Sequence, residues 1–322
     1  MRIVGVFLLC GLFLSLSFYD IGNADDFPTR PVEVIIAFAP GGAVDLAVRV
    51  MADELTKAMG APVILTNKAG GGGAVGAEYV ARAKPDGYTI LAAPQGIFTM
   101  LPILTSGLHY KFSDFIPVCN YGAGPAMVLV RKDSAFKSFE ELMAYVKKNP
   151  GKLTCATPGT GTSSHFTLEL MKIEVGFDVA HLPYKSGGEV VTSLLGGQVD
   201  FAFQGVSSAL GLLKSGDFRA LASITFERMP GFPDIPTLKE LGYPNVIIIA
   251  CYGYFLPKGT PKPVVDKLAS VFEKAIMNPA VKKKIEDLVN IRMYQDGPTY
   301  TRFIEEEYKT LENLAKKAKL IK

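Results

Sequence analysis

The stretch "VIIAFAPGGAVDLAVRVMADEL", residues 34–55, runs from an unbroken apolar segment through Pro40, Gly41 and Gly42 straight into residues with helical spacing. It reads as a buried strand that hands over to a helix, the repeating unit of a wound α/β sheet. The first N–H groups of a helix have no intrahelical partner and carry partial positive charge. Bare glycines at that point let an anion approach closely.

Outward from this turn, the first 24 of the 322 residues begin with Arg2, continue as an apolar run from Ile3 to Phe18 and close on Gly22, Asn23 and Ala24. That is the pattern of a secretory signal peptide cleaved before Asp25. The run is shorter than the roughly 20 residues that cross a bilayer, which argues against an uncleaved anchor. Cys10 sits inside the run, so lipidation is not expected. A net charge of +3 is too weak to argue for nucleic acid, and no lysine-rich arm accompanies it. Cys119, Cys155 and Cys251 lie far apart without zinc-type spacing and read as buried small apolar residues. No cofactor is expected, and the chain reads as a monomer.

Apolar runs bounded by glycine and proline alternate with helical patterns along the chain. The first series is strand 32–39, helix 43–59, strand 62–66, helix 74–84 and strand 87–93. The second holds helix 138–149, strand 152–156, helix 163–174, strand 179–183, helix 188–196, strand 199–203, helix 206–215 and strand 218–224. Such alternation implies α/β architecture with parallel strands, in two wound-sheet domains. Long apolar stretches at 117–131 and 244–257 are candidate hinge strands. They divide the chain into a discontinuous first domain, residues 25–123 and 251–322, and a second domain, 124–250. Helices at 261–277, 279–289 and 298–318 complete the first.

The segment "NKAGGGGAVGAEYV", residues 67–80, holds Gly71, Gly73 and Gly76 in dinucleotide spacing. Such a loop should follow a first strand and precede a strand ending in a carboxylate. This one follows the second strand, and the next strand ends in "LAAPQG", so close backbone packing in a closing cleft is the better reading. "CATPGTGTSSHFTLEL", residues 155–170, offers five hydroxyls and two glycines directly before a helix, more than one helix cap requires. Two helix starts, one per domain, then face each other, and each suits a carboxylate. Asp45 fits the first turn of its helix, bonding free N–H groups. Ser164 and His165 resemble a nucleophile and base, yet sequence neighbours seldom face one another and no G-x-S-x-G elbow is present. His109 and His181 stand alone, which gives a metal site little support. Tyr184 and Gln204 fall at strand ends of the second domain, where ligands of wound sheets bind; each also fits a local role at a rim or strand end.

The blocks "FPTRPVEVIIAFAPGGAVD", "NKAGGGGAVGAEYVARAKPDGYTIL", "NPGKLTCATPGTGTSSH" and "HLPYKSGGEVVTSLLGGQVDFAF" occur in the order seen in substrate-binding receptors of tripartite tricarboxylate transporters, the Bug-type receptors. The chain resembles that family from Phe27 to its last helix. The resemblance implies a periplasmic receptor of the type II binding-protein fold, with two lobes joined by a two-strand hinge and closing over a small organic acid. It places Phe38, Ala39, Pro40, Gly41 and Gly42 around one ligand carboxylate. Thr160, Gly161, Thr162, Ser163, Ser164 and His165 come from the second lobe, and Pro94, Gln95, Gly96 and Gln204 also face the cleft. It further implies delivery to a membrane permease of one large and one small integral subunit, driven by an ion gradient, with no chemistry on the ligand. A receptor feeding a signalling partner and a secreted hydrolase are the alternatives. Ala43 and Val44 stand where the family often has glycine and a hydroxyl residue, and Gln204 stands where it is often acidic. Without that acid an ammonium group would be buried unpaired, so the expected ligand carries a carboxylate and no amine.

Overall fold

Val32, Val34, Ile35 and Ile36 are fully buried in the computed structural model, which describes residues 27–291 and 293–317. The expected signal peptide lies outside the described residues. The four side chains anchor β1 (Val32–Ile36), which is followed by α1 (Ala43–Met59), β2 (Val63–Asn67), α2 (Ala74–Ala81), β3 (Thr89–Pro94), α3 (Gly96–Thr99), α4 (Leu101–Leu104) and β4 (Phe115–Gly124). Beyond Pro125 come β5 (Ala126–Arg131), α5 (Phe139–Lys148), β6 (Thr154–Thr157), α6 (Ser163–Val175), β7 (Ala180–Pro183), α7 (Gly187–Leu195), β8 (Phe201–Gly205), α8 (Val206–Ser215) and β9 (Phe218–Ile224). The chain then returns through β10 (Ala250–Pro257), α9 (Lys262–Met277), α10 (Pro279–Asp287), β11 (Gln295–Asp296) and α11 (Gly297–Lys317).

Two sheets result, ordered β11-β4-β10-β3-β1-β2 and β7-β6-β8-β5-β9. β1 pairs in parallel with β2 and β3, and β6 with β7 and β8, as strand–helix–strand units require. The expectation of parallel strands fails for β5 and β10, which run antiparallel to β8 and β3. Each of these two enters its sheet directly from the other lobe, with no crossover helix to reverse it. β4 and β5 are one run interrupted at Pro125, a residue with no N–H for a sheet ladder.

Two segments differ from the sequence reading. The expected strand from 244 starts only at Ala250; Pro244–Val246 form a 3-10 turn. Val246 and Ile247 are apolar because they fill the second lobe's core, and Pro244 cannot open a ladder. After β3, where the sequence analysis assigns no element, the chain folds as α3 and α4, held by Ile97 and Phe98 in the first core and by Met100 and Ile103 in the second. α11 also spans both cores, with Tyr300 and Ile304 in the first and Leu311 and Ala315 in the second. Cys119, Cys155 and Cys251 are buried free thiols. Burial pushes the Cys251 thiol up to about 12. Among the described residues, no helix is long and apolar enough to cross a membrane.

Candidate functional site

Between the sheets lies a cleft with about 680 Å³ of empty space, including the part open to solvent. Among the described residues no charged side chain lines it; its walls are glycines, small hydroxyl residues and apolar groups such as Phe38, Val44, Ile97, Met100 and Tyr252. Polarity here must come from backbone amides and uncharged side chains.

Four helices of nine or more residues begin at this cleft, and their caps differ. At α6 the Thr162 hydroxyl accepts from the His165 N–H at 3.3 Å, and at α7 the Ser186 hydroxyl accepts from the Glu189 N–H at 3.3 Å. The caps of α1 and α8 are Gly42 and Gly205, and neither start has a side-chain cap. Intrahelical bonding of α1 begins only when the Leu46 N–H reaches Gly42 O, so the N–H groups of Ala43, Val44 and Asp45 have no partner within the helix. At α8 the Val206 N–H donates to Pro125 O at 3.0 Å, leaving those of Ser207 and Ser208 without one inside the helix. The two uncapped starts come from opposite lobes and approach closely: a Cβ built on Gly205 would lie 3.5 Å from the Ala43 Cβ. Opposed amides of this kind favour an anion between them.

Asp45 sits in the first turn of α1, as the sequence indicates, and braces the loop. Its carboxylate accepts from the Gly41 N–H at 3.0 Å, from Arg49 Nε at 2.9 Å and from Asn67 Nδ2 at 2.8 Å, while Asn67 Nδ2 also donates to Phe38 O at 2.8 Å. Burial raises the Asp45 carboxyl, but these hydrogen bonds outweigh it and hold the group below its ordinary value. Asp45 is spent on its own loop.

Phe38, Gly42, Pro94, Gln95, Gly96, Gly161, Thr162, Ser163, Ser164 and Gln204 line the cleft, but Ala39, Pro40, Gly41, Thr160, His165 and Tyr184 do not. Most of the latter are engaged elsewhere. The Tyr184 hydroxyl bonds Ser193. Pro40 and Gly41 pack beside Gly188 at the start of α7. The Thr160 carbonyl abuts Gly72, whose φ is +65° and on which a Cβ would stand 1.9 Å from that oxygen. This is the close backbone approach expected of the glycine-rich segment, made between lobes. Gln95 turns its amide to the hinge, accepting from the Cys251 N–H at 2.7 Å and donating to Ile249 O and Glu307 Oε1 at 3.0 Å each. Burial pushes the Glu307 carboxyl up.

His165 braces its loop from behind. Its Nδ1 accepts from the Gly161 N–H at 3.0 Å and its Nε2 faces Glu169 Oε1 at 3.5 Å, so both nitrogens are committed away from Ser164 and no nucleophile–base pair forms. The ring stacks on His181 with centroids 4.2 Å apart and planes 13° apart, and Lys172 Nζ lies 2.8 Å from Glu169 Oε1. His165, Glu169 and His181 are close enough to share a cation. Parallel rings do not converge their lone pairs on one point, and Lys172 already holds the carboxylate, so the trio is built as a brace. Burial, then His165 and Lys172, push His181 down to about 4. Burial raises Glu169, but His165 and Lys172 outweigh it and bring that carboxyl to about 2.

An unfolded His181 titrates near 6.5, so between pH 6.5 and 4 the unfolded chain binds the extra proton. Stability conferred by the neutral ring is therefore present above that window and lost as pH falls through it. In thermal melts His181→Gln should show a shallower loss of Tm than wild type over this interval. Superimposable profiles would show that the ring does not titrate differently on folding.

Sequence reasoning missed Met100, Gly124, Ala126, Gly187, Gly205 and Tyr252 as cleft residues. Gly205 carried a readable signal, a glycine at a helix start behind a strand. Met100 carried none, because its place depends on α4 reaching the other lobe.

The family model described as "Tripartite tricarboxylate transporter family receptor" matches residues 47–320. Among solved structures, the chain is similar to the periplasmic binding protein BugD, with 32% identity, a TM-score of 0.86, and coverage of 91% of this chain and 98% of that one. It is similar to MatC from Rhodopseudomonas palustris with bound malate, at 30% identity and a TM-score of 0.84, covering 89% of this chain and 99% of that one. It is also similar to Rpa4515 of R. palustris with adipate, at 27% identity and a TM-score of 0.87, covering 91% and 98%. With a type II periplasmic binding-protein fold and this match over most of its length, the chain belongs to the tripartite tricarboxylate transporter receptor family, a family of solute-binding receptors and not of enzymes.

Proposed function

We propose that this chain is a periplasmic receptor that closes over a small organic acid bearing two or three carboxylates and no amine, and delivers it to a permease of one large and one small membrane subunit. The observation that carries the reading is the pairing of uncapped α1 and α8 starts across a cleft that no charged side chain lines among the described residues. Donors at opposite walls match carboxylates, while an ammonium group would find no counter-charge. That two structural relatives hold malate and adipate supports the same class. The bodies that move are residues 25–123 with 251–322, and 124–250, joined at Pro125 and before Ala250; residues 1–24 direct export and are removed.

Calorimetry tests the class. Citrate, succinate, malate or adipate should bind one to one, and aspartate and glutamate about a hundredfold or more weaker, the equivalent of about 3 kcal/mol for an unpaired buried charge. Tight binding of aspartate or glutamate alone would refute the reading. Native mass spectrometry of freshly purified protein should show a retained amine-free acid.

A further inference from the structure

Gln204 is 1% exposed at the end of β8 and lines the cleft. Its Nε2 donates to Gly205 O at 3.3 Å, which fixes the sense of the amide, since the flipped form would set two oxygens against each other. Its Oε1 is buried with no hydrogen-bond partner among the described residues, as are the hydroxyl oxygens of Ser207 and Ser208 in the first turn of α8. The Gln204 amide and the Ser208 hydroxyl stand beside Gly187, where a Cβ would lie 2.4 Å from Gln204 Nε2 and 2.8 Å from Ser208 Oγ. Buried polar atoms are seldom left unpaired in a native fold.

The amides at the helix starts and the Gln204 oxygen ask different things of a ligand. N–H groups need an acceptor, which a carboxylate supplies. An amide oxygen needs a donor, and an ionised carboxylate has none. An ammonium group would donate, but it brings a charge that no side chain on the cleft wall offsets. A hydroxyl donates without charge, and it can in turn accept from a serine.

We propose that the ligand is a hydroxycarboxylate whose O–H donates to Gln204 Oε1, which makes Gln204 the residue that separates hydroxy acids from their deoxy counterparts. The inference rests on the carboxylate reading above and narrows it. The ligand enters with the lobes parted and meets the oxygen before they close.

The test is calorimetry with three matched pairs that differ by one hydroxyl: malate against succinate, 2-hydroxyadipate against adipate, and citrate against tricarballylate. In the pair of suitable length the hydroxy acid should bind at least tenfold more tightly. Gln204→Met, of similar length and without the acceptor, should bring that ratio close to one whatever it does to the absolute affinities. Equal binding within every pair, or a ratio that survives in a folded Gln204→Met, would overturn the inference and leave the carboxylate reading standing. If Gln204→Met does not fold, the wild-type ratio decides alone. Failure of all six acids to bind would remove the carboxylate reading, and this inference with it.

Discussion

Gly42→Asp is expected to abolish ligand binding in a protein that folds as well as wild type. Gly42 holds φ −78° and ψ 163°, an extended conformation open to any residue. A Cβ there meets nothing nearer than Ala39 O at 3.5 Å. Aspartate is also a favoured helix cap, better than glycine by a few tenths of a kcal/mol, so the melting temperature should hold or rise slightly. The new carboxylate would take the amides of α1 that the proposed site offers to an acid and would repel the charge of that acid. At about 4 Å with an effective dielectric near 20 that repulsion is about 4 kcal/mol, roughly three decades of affinity. Gly42→Ala, which adds no charge, should bind within a few-fold of wild type. Wild-type affinity in a folded Gly42→Asp would show that the anion rests elsewhere.

Gly72→Ala should weaken binding about tenfold to a hundredfold by holding the lobes apart, a loss of about 1.4 to 2.8 kcal/mol. Its Cβ would fall 1.9 Å from the Thr160 carbonyl of the facing lobe, and backbone cannot yield there as a flexible side chain would. An alanine at φ +65° also costs about 1–2 kcal/mol of local strain, which lowers Tm without touching closure. Gly60→Ala separates the two effects, because Gly60 has φ +72° with nothing within 4 Å of its Cβ position. The Gly60 variant should lose stability and keep its affinity. The Gly72 variant should lose both, and scattering with saturating ligand should show a larger radius of gyration than liganded wild type. Equal ligand affinity in the two variants would remove the contact with Thr160 from the closing mechanism.

The long regular elements were legible because their signals are local. Gly42 and Gly60 bracket α1, and α8 runs from residue 206 to 215 as its apolar period indicates. What escaped depends on partners distant in the chain. An apolar run does not state its direction, so the antiparallel entry of β5 and β10 was hidden, and Val246 and Ile247 mimicked a strand while filling a core. α3 and α4 have four residues each, too few for any periodicity. At the site, spacing placed the loops but not the side chains on them. His165 has Glu169 one turn away, a partner visible in sequence, yet its stacking on His181 requires β7 beside β6. Gln95 does line the cleft, but its amide is held by Cys251 and Glu307, partners from beyond residue 250 that its own loop does not reveal.

The three sequestered thiols open a route to kinetics. Cys155 stands in β6 of one sheet, Cys119 in β4 and Cys251 in β10 of the other, and among the described residues none is paired. An alkylating reagent attacks only an exposed thiolate, which burial suppresses at all three positions. Pulsed labelling read by peptide mass would therefore time the breathing of each sheet separately, with no tag or substitution introduced. Cys251 lies where the returning strand begins, so slower modification in the presence of an acid than in its absence would report the grip on the cargo directly.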